Sequence, residues 1–332
     1  MTNTKDNSPS INFVVVLNWK AADETIECLD SIFLSNSSLI PIVLDNASQD
    51  SSLDNIRSWL SGRHKNHVTL NESELLSHTF SDDLECVLVQ NKKNHGYAGG
   101  NNPGIAYAAN QKKCKSIWLL NNDARIDANT FPELISHLEK DKSIGFVGSI
   151  IRYYESPEKI QCAGGGVIYK YLGKRKLYYK NHDISEIYKI DKSRIDYLMG
   201  ASLLINPNVI QDIGLMSEEY FMYSEELDWQ LRAKYSGWNL ALAENSHIFH
   251  KGAQSTAGRS HMYHYYLNRS SVIFTKRFYS SIVLLSAICS LAAFNIIKNI
   301  KSPKNLLYGF KGIFDGVKFN WAANLNSEPG KK

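Results

Sequence analysis

The chain has 332 residues, 43% hydrophobic and 21% charged, with a formal net charge of +4. That length holds one large domain, or one domain with an appendage, and the composition confines disorder to the ends, residues 1–10 first. The small charge, without zinc-finger spacing, an RNA-binding aromatic signature or a dense arginine patch, excludes nucleic acid as the expected partner.

Cys28, Cys86, Cys114, Cys162 and Cys289 are scattered and lack metal-ligand spacing, as expected for reduced thiols in the cytoplasm. The opening MTNTKDNSPS is polar and has no apolar secretory core.

Residues 11–17, INFVVVL, are a continuous apolar, β-branched run, the pattern of a strand buried on both faces of a parallel sheet. A helix is expected over 23–34, then a strand over 40–44 ending at Asp45. The alternation continues with helix 51–60, strand 86–90, helix 98–110, strand 116–120, helix 130–140 and strand 144–151. This predicts an α/β fold, Rossmann-like and doubly wound, with a mostly parallel central sheet. The polar stretch 61–84 reads as a surface insertion or long connection. Residues 152–195 read as irregular strands and a mobile loop, and a short strand is expected over 239–243.

Beyond about residue 256 the pattern becomes Tyr-rich, apolar and basic. Between Arg277 and Lys298 lie twenty uncharged residues, FYSSIVLLSAICSLAAFNII. As one helix they would be about 30 Å long, fitting an interfacial or re-entrant helix, a spanning helix or one docked on the domain. Nine Lys or Arg from Lys276 onward, against Asp315 and Glu328, suit an anionic membrane surface.

Open α/β sheets bind ligands at the carboxyl ends of their strands. Asn18 and Trp19 follow the first strand. Asp45 and Asn46 follow the second, in DNASQDS, where the carboxylate can accept from the imide N–H of a uracil or thymine ring, or serve a turn capped by Asp50 or Ser51. In NKKNHGYAGGNNPGI, Gly96, Gly99 and Gly100 permit close backbone approach and Asn94, Asn101 and Asn102 add hydrogen-bonding capacity beside a helix start. That suits a diphosphate or a sugar, although it is neither GxGxxG nor a Walker loop.

In WLLNNDA, an apolar strand runs into Asn121, Asn122 and Asp123, where a carboxylate can hold Mg²⁺ or Mn²⁺. Downstream, HIFHKGAQST offers His247 and His250, of which His250 is favoured to complete the metal shell; its nitrogen prefers Mn²⁺. Gly200, Ala201 and Ser202 either line the acceptor side or pack under a helix. The densest cluster is FMYSEELDWQLRAKYSGW, residues 221–238, with Glu225, Glu226 and Asp228 in a first helical turn and Ser224 at the N-cap. The helix dipole favours carboxylates there, and beside Asp123 and His250 they read as acid–base groups.

These pieces, VVVLNW, LDNASQDSS, NHGYAGGNNPGI, LLNNDARI, YLMGASLLI, IGLMSEEYFMYSEELDWQLRAKYSGW and HIFHKGAQST, span residues 11 to about 256. In this order they resemble the inverting family 2 glycosyltransferases of GT-A fold, in the rhamnosyltransferase-like branch of bacterial surface polysaccharide biosynthesis. The resemblance implies that Asp45 binds the base and that Asp123 is the last residue of the DXD motif, with Asn121 in its first place. It puts Glu225 and Glu226 on the Glu-Asp pair that holds the catalytic base, with Glu226 in the Asp place. Asp228 and Arg232 match the tail of that motif, Trp229 and Trp238 fall on the acceptor side, and His250 matches the metal-binding histidine.

It further implies a GT-A domain over 11–256 and a C-terminal helical, membrane-associating extension over 257–332. The expected partners are a divalent metal, a nucleotide sugar (dTDP-rhamnose ahead of UDP-hexoses) and a saccharide acceptor linked to undecaprenyl diphosphate, met at the cytoplasmic face of the inner membrane during O-antigen or capsule synthesis. Glu226 would take the proton of the acceptor hydroxyl in a single inverting displacement. The departures at Asn121 and Glu226 leave open an alternative, a noncatalytic sugar-nucleotide-binding subunit.

Overall fold

The computed structural model describes residues 10–35, 38–64, 66–252 and 260–321. The expected domain boundary near 256, most of the expected disordered N-terminus, and Lys331 and Lys332 lie outside them. In chain order the elements are β1 (Ile11–Asn18), α1 (Ala22–Leu34), β2 (Leu39–Asp45), α2 (Ser52–Arg63), β3 (His67–Asn71), the one-turn α3 (Glu72–Leu75), β4 (Cys86–Gln90), α4 (Gly96–Ala109), β5 (Cys114–Asn121), β6 (Ala124–Ile126) and α5 (Thr130–Glu139). They continue with β7 (Ile144–Tyr153), β8 (Ile160–Ala163), β9 (Gly165–Tyr169), β10 (Lys174–Leu177), β11 (Tyr197–Leu198), β12 (Ser202–Ile205), α6 (Pro207–Ile213), α7 (Glu225–Tyr235), β13 (Asn239–His250), α8 (His261–Phe278), α9 (Ser281–Asn299) and α10 (Pro303–Lys318).

Ten strands form one sheet in the order β3-β4-β2-β1-β5-β12-β7-β13-β6, with β8 paired to β7. The β3 to β5 half is parallel. Strand β12 enters antiparallel between β5 and β7. The apolar run of β1 explains its central place, because Phe13, Val14, Val15 and Val16 are all fully buried. Their alternation splits the core: Val14 and Val16 pack with Leu29, Ile32 and Ile56 of α1 and α2, while Phe13 and Val15 face Ile105 and Ala108 of α4.

Three expectations change. The 61–84 segment contributes β3, an edge strand parallel to β4, because Val68 and Leu70 alternate onto the core. Residues 152–195 are ordered as β8, β9 and β10; the last two join β11 in a second, three-stranded sheet over a small core of Ile150, Ile160, Tyr178 and Leu242. The strand expected over 239–243 runs on to His250, with a register shift between Ala243 and His247. Both histidines therefore lie on a strand.

The last three helices pack on the α7 side of the domain. Helix α10 approaches α8 so closely that a Cβ on Gly312 would lie 2.2 Å from the Tyr265 carbonyl oxygen. Helix α9 is docked along one edge only, by Val283, Ala287, Leu291, Asn295 and Asn299. By length and composition it is apolar enough to cross a membrane. The join between α8 and α7 is electrostatic as well as apolar. Asp228, fully buried, accepts from Arg232 Nε at 2.8 Å, from Arg277 Nη1 at 2.6 Å and from the Tyr220 hydroxyl at 2.8 Å.

Removing one partner of a buried charge cluster leaves the others unpaired in a low-dielectric site. Asp228→Ala is expected to cost about 3–5 kcal/mol of unfolding free energy in urea titration. A loss below about 1 kcal/mol would mean that the cluster is not what holds α8 to α7.

Candidate active site

Register brings the strand-end polar residues level: Asn18 lies opposite Asp45, and Leu17 opposite Asn121. Asn18 Nδ2 donates to Asp45 Oδ1 at 2.7 Å, while the Ser48 amide donates to Asp45 Oδ2 at 3.0 Å. Thr25 Oγ1 donates to Asn18 Oδ1 at 2.9 Å, and Asn122 Nδ2 donates to Thr25 Oγ1 at 3.0 Å. A continuous hydrogen-bonded row thus crosses the ends of β5, β1 and β2. Thr25, on α1, is part of that row and nothing in its own sequence context distinguished it.

Asn46 organises the next loop. Its Nδ2 donates to Asn94 Oδ1 and to the Gly96 carbonyl at 3.1 and 3.0 Å, and its Oδ1 accepts from the His95 amide at 3.1 Å. Gly96 has φ +72°, and a Cβ there would lie 2.0 Å from the Phe221 carbonyl oxygen. The neighbouring Tyr97 amide donates to that oxygen at 2.8 Å. The glycine-rich loop therefore abuts the segment leading into α7. Gly99 packs against His95 and Glu218, and Asn101 Nδ2 donates back along the helix to the Tyr97 carbonyl at 2.9 Å.

Asp123 and His250 meet as expected. His250 Nε2 lies 3.0 Å from Asp123 Oδ1 and 3.2 Å from Asn121 Nδ2. Its Nδ1 bonds the Gln161 side-chain oxygen on β8 at 2.7 Å. With Nδ1 engaged by Gln161, the ring is fixed with Nε2 facing the carboxylate, which is the orientation of a metal-ligating histidine. Two groups bonded cis to an octahedral ion at about 2.1 Å lie about 3 Å apart, so the observed spacing fits a divalent ion. Burial opposes ionisation of Asp123, but the His250 hydrogen bond and charge outweigh it and hold the carboxyl below its usual range. No group of three His, Cys, Asp or Glu that could hold a metal gathers among the described residues, so an ion here would have to draw further ligands from Asn121, a phosphate or water.

The Asn121 amide donates to the Ala201 carbonyl at 3.1 Å and the Tyr97 hydroxyl to the Gly200 carbonyl at 2.9 Å. One turn thus joins the aspartate to the side of the site where Glu225 and Glu226 open α7. Glu225 is 2% exposed and its Oε2 has no hydrogen-bond partner. Burial, then the charge of Glu226, pushes its carboxyl well above the usual range. Glu226 is half-buried; burial raises its carboxyl too, against the pull of Arg175. The Tyr97 hydroxyl is raised by burial and by both glutamates, which places it beside the pair.

Other expected site residues have structural partners. Arg232, besides Asp228, donates to the Leu215 carbonyl at 2.7 Å and to the Ile213 carbonyl. Trp229 is fully buried edge-on to Phe146, with Nε1 donating to the Gly214 carbonyl at 2.8 Å; Trp238 Nε1 bonds Asp212. Ser202 Oγ accepts from Trp118 Nε1 at 3.0 Å inside the sheet. Ser224 occupies the N-cap position with φ +77°, but its hydroxyl caps nothing and accepts from Arg175 Nη1 at 2.7 Å. Gln161 and Arg175 both come from the stretch read as irregular and carry no local motif.

The raised Glu225 carboxyl means that the folded state binds more protons than the unfolded chain. Its contribution to stability is full below the unfolded carboxylate pKa of about 4.3 and is lost as pH rises through the folded value. Glu225→Gln should therefore raise the thermal midpoint at pH 8, with a smaller change at pH 5. A rise of equal size at both pH values would show that Glu225 is not strained by ionisation.

A sequence profile of the family described as glycosyl transferase family 2 matches residues 13–192, more than half of the chain. The low-salt glycan biosynthesis hexosyltransferase Agl10 of Haloferax volcanii is 26% identical over 246 residues, covering 73% of this chain and 75% of that protein. Among solved structures, the mannosyltransferase PcManGT of Pyrobaculum calidifontis, in complex with GDP-Man and Mn²⁺, aligns with a TM-score of 0.57 at 12% identity, over 95% of this chain and 88% of its own. GalNAc-T7, with UDP, GalNAc and Mn²⁺, aligns at 0.57 and 13% identity over 96% of this chain and 58% of its own. The profile match, laid over a sheet that shares its architecture with those enzymes, makes this chain a member of glycosyltransferase family 2 with a GT-A fold.

Proposed function

We propose that the protein is an inverting hexosyltransferase that moves a sugar from a nucleotide sugar to a hydroxyl of a saccharide acceptor, with Glu226 as base. The observation that carries this reading is the junction of two halves. The Asp123–His250 pair lies at the strand ends and the glutamates open α7, with the Gly200–Ala201 turn bonded to Asn121 on one side and to Tyr97 on the other. Glu226 is the better base because it is the less buried of the pair, within reach of a hydroxyl, while Glu225 is sealed.

Asp123 and His250 would hold Mn²⁺ or Mg²⁺, which when bound offsets charge on the departing nucleoside diphosphate. Asp45, its carboxylate aligned by Asn18 and Ser48, offers its remaining lone pairs to the imide N–H of a thymine or uracil. The favoured nucleotide sugar is dTDP-rhamnose, with UDP-hexoses next. The polymer is of the bacterial O-antigen or capsule type, with a lipid diphosphate carrying the acceptor.

The test is nucleoside diphosphate release from dTDP-, UDP- and GDP-sugars with Mn²⁺ and a lipid-linked acceptor extract. Release with dTDP-rhamnose, lost on chelation and lowered at least about 100-fold in Glu226→Gln, is expected. Turnover of a UDP-hexose alone would replace the rhamnosyl assignment. Full activity in Glu226→Gln would remove it as the base.

The outward faces of α9 and α10 rest on the cytoplasmic surface of the membrane, bringing the site to a lipid-linked acceptor. Ile282 and Ile297 are 78% and 73% exposed, and Leu285, Ile300, Leu307 and Phe314 extend the apolar face. Lys298, Lys301, Lys304, Lys311 and Lys318 accompany it. The inner edge of α9 is polar: Asn295 Nδ2 donates to the Leu306 carbonyl, and Asn299 Nδ2 bonds His264. A helix that turns amides inward and isoleucines outward suits lying in the interface. The full chain is expected to co-sediment with vesicles containing phosphatidylglycerol and to be released by Ile297→Glu combined with Leu285→Glu. Equal binding by that double variant would take the apolar face out of the contact.

A further inference from the structure

Arg175 is half-buried on β10, and among the described residues it is the cation whose charge acts on both Glu225 and Glu226. The geometry is specific. Arg175 Nη1 donates to the Ser224 hydroxyl at 2.7 Å, and Ser224 is the left-handed residue from which α7 starts. Behind it, the turn between β9 and β10 is anchored: Gly173, at φ +61°, packs against Ala287 and Leu291 of α9, and Ser286 Oγ donates to the Tyr171 carbonyl at 3.0 Å. The guanidinium is therefore delivered by a braced hairpin. Four other ionisable groups act at this position: Glu225 on α7 itself, Tyr97 of α4, Tyr197 of β11, and Tyr223 in the entry turn, which packs edge-on to Tyr263 of α8. Three of them are phenols and the fourth is an acid, so none supplies positive charge.

We infer that Arg175 is a positioning residue for the base: its bond to Ser224 fixes the left-handed entry to α7, and its charge selects Glu226 over Glu225 as the carboxylate. Two neighbouring acids in a water-poor site share one preference for the neutral form, and a cation held at the helix entry favours ionisation of the one that water still reaches, Glu226 rather than the sealed Glu225. Glu225, sealed from solvent and with an oxygen that has no partner, stays protonated. Glu226 then meets the acceptor hydroxyl as an anion. This inference rests on the reading of Glu226 as the base, and the experiment separates the two.

Arg175→Gln, Arg175→Lys and Ser224→Ala are made in the full chain, and two readouts are taken. The first is the pH profile of nucleoside diphosphate release. The second is the ¹³C NMR titration of the glutamate side chains, which needs no turnover. Loss of the cation raises the pKa of the base, so in Arg175→Gln the acid limb and the Glu226 titration should both move up by about one pH unit. Arg175→Lys should keep both near their wild-type positions while kcat falls, because the shorter lysine side chain stops short of the Nη1 position that donates to Ser224. Ser224→Ala should lower kcat and leave the limb in place.

Unchanged titration of Glu226 in Arg175→Gln would overturn charge selection, and wild-type kcat in Arg175→Lys and Ser224→Ala would overturn positioning. Wild-type protein that released no nucleoside diphosphate would sink the glycosyl-transfer reading, while the NMR titration would still decide the role of Arg175. If Arg175→Gln failed to fold, Arg175→Lys and Ser224→Ala would carry the positioning test, and a wild-type Glu226 titration that coincided with that of Glu225 would overturn the selection.

Discussion

Everything around the site depends on a short piece of backbone that would not hold its shape alone. Phe221, Tyr223 and Ser224 all have positive φ, near +64°, +67° and +77°. Each such residue costs of order 1–3 kcal/mol, and conformations of this kind persist only where the surroundings over-determine them. The surroundings here come from three directions. The Tyr97 amide takes the Phe221 carbonyl, and Gly96 leaves room for it. Helix α8 supplies Arg269 to the Glu219 carbonyl and Ser270 to the Met222 carbonyl, and stacks Tyr266 on Phe221 at 4.8 Å between centroids. Arg175 takes Ser224. The glycine-rich loop, α8 and the small sheet all grip the turn from which α7 begins.

Helix α7 then divides its polar residues by their surroundings. Asp228 lies between two arginines and a tyrosine and serves packing. Gln230, also buried, bonds both the amide and the carbonyl of Leu198 at 2.7 and 2.8 Å and fastens β11 to the helix. One turn earlier, Glu225 is buried with one carboxyl oxygen left without a partner. The same helix therefore holds a satisfied carboxylate and an unsatisfied one within four positions.

Much of this was legible in the chain. The INFVVVL run gave the central strand, since only a strand covered on both faces is apolar at every position. Asn18, Asp45 and Asp123 stood out as candidates because they terminate such runs, and His250, favoured as the partner of Asp123, lies beside it. Sequence could not tell Asp228 from Glu225 and Glu226: all three share a first turn, and what separates them is whether Arg277, 49 positions away, arrives. Trp229 and Ser202 looked like site residues for the same reason, since burial against Phe146 or Trp118 is a tertiary fact. Thr25, Gln161 and Arg175 were missed because each acts through one long-range bond and belongs to no spaced motif.

The small sheet has a consequence for how such an enzyme diverges. Between residues 160 and 177 the chain supplies Gln161 to the back of His250 and Arg175 to the entry of α7, so a single contiguous segment touches both halves of the site. It lies away from the β1 to β5 half of the sheet and joins the main sheet through β8, paired to β7 in the other half. Exchange of that segment between related chains would retune the proposed ion site and the proposed base together, in one genetic step, without disturbing the strands from β1 to β5. Descendants of one scaffold could in this way acquire new acceptors while inheriting the same activated sugar.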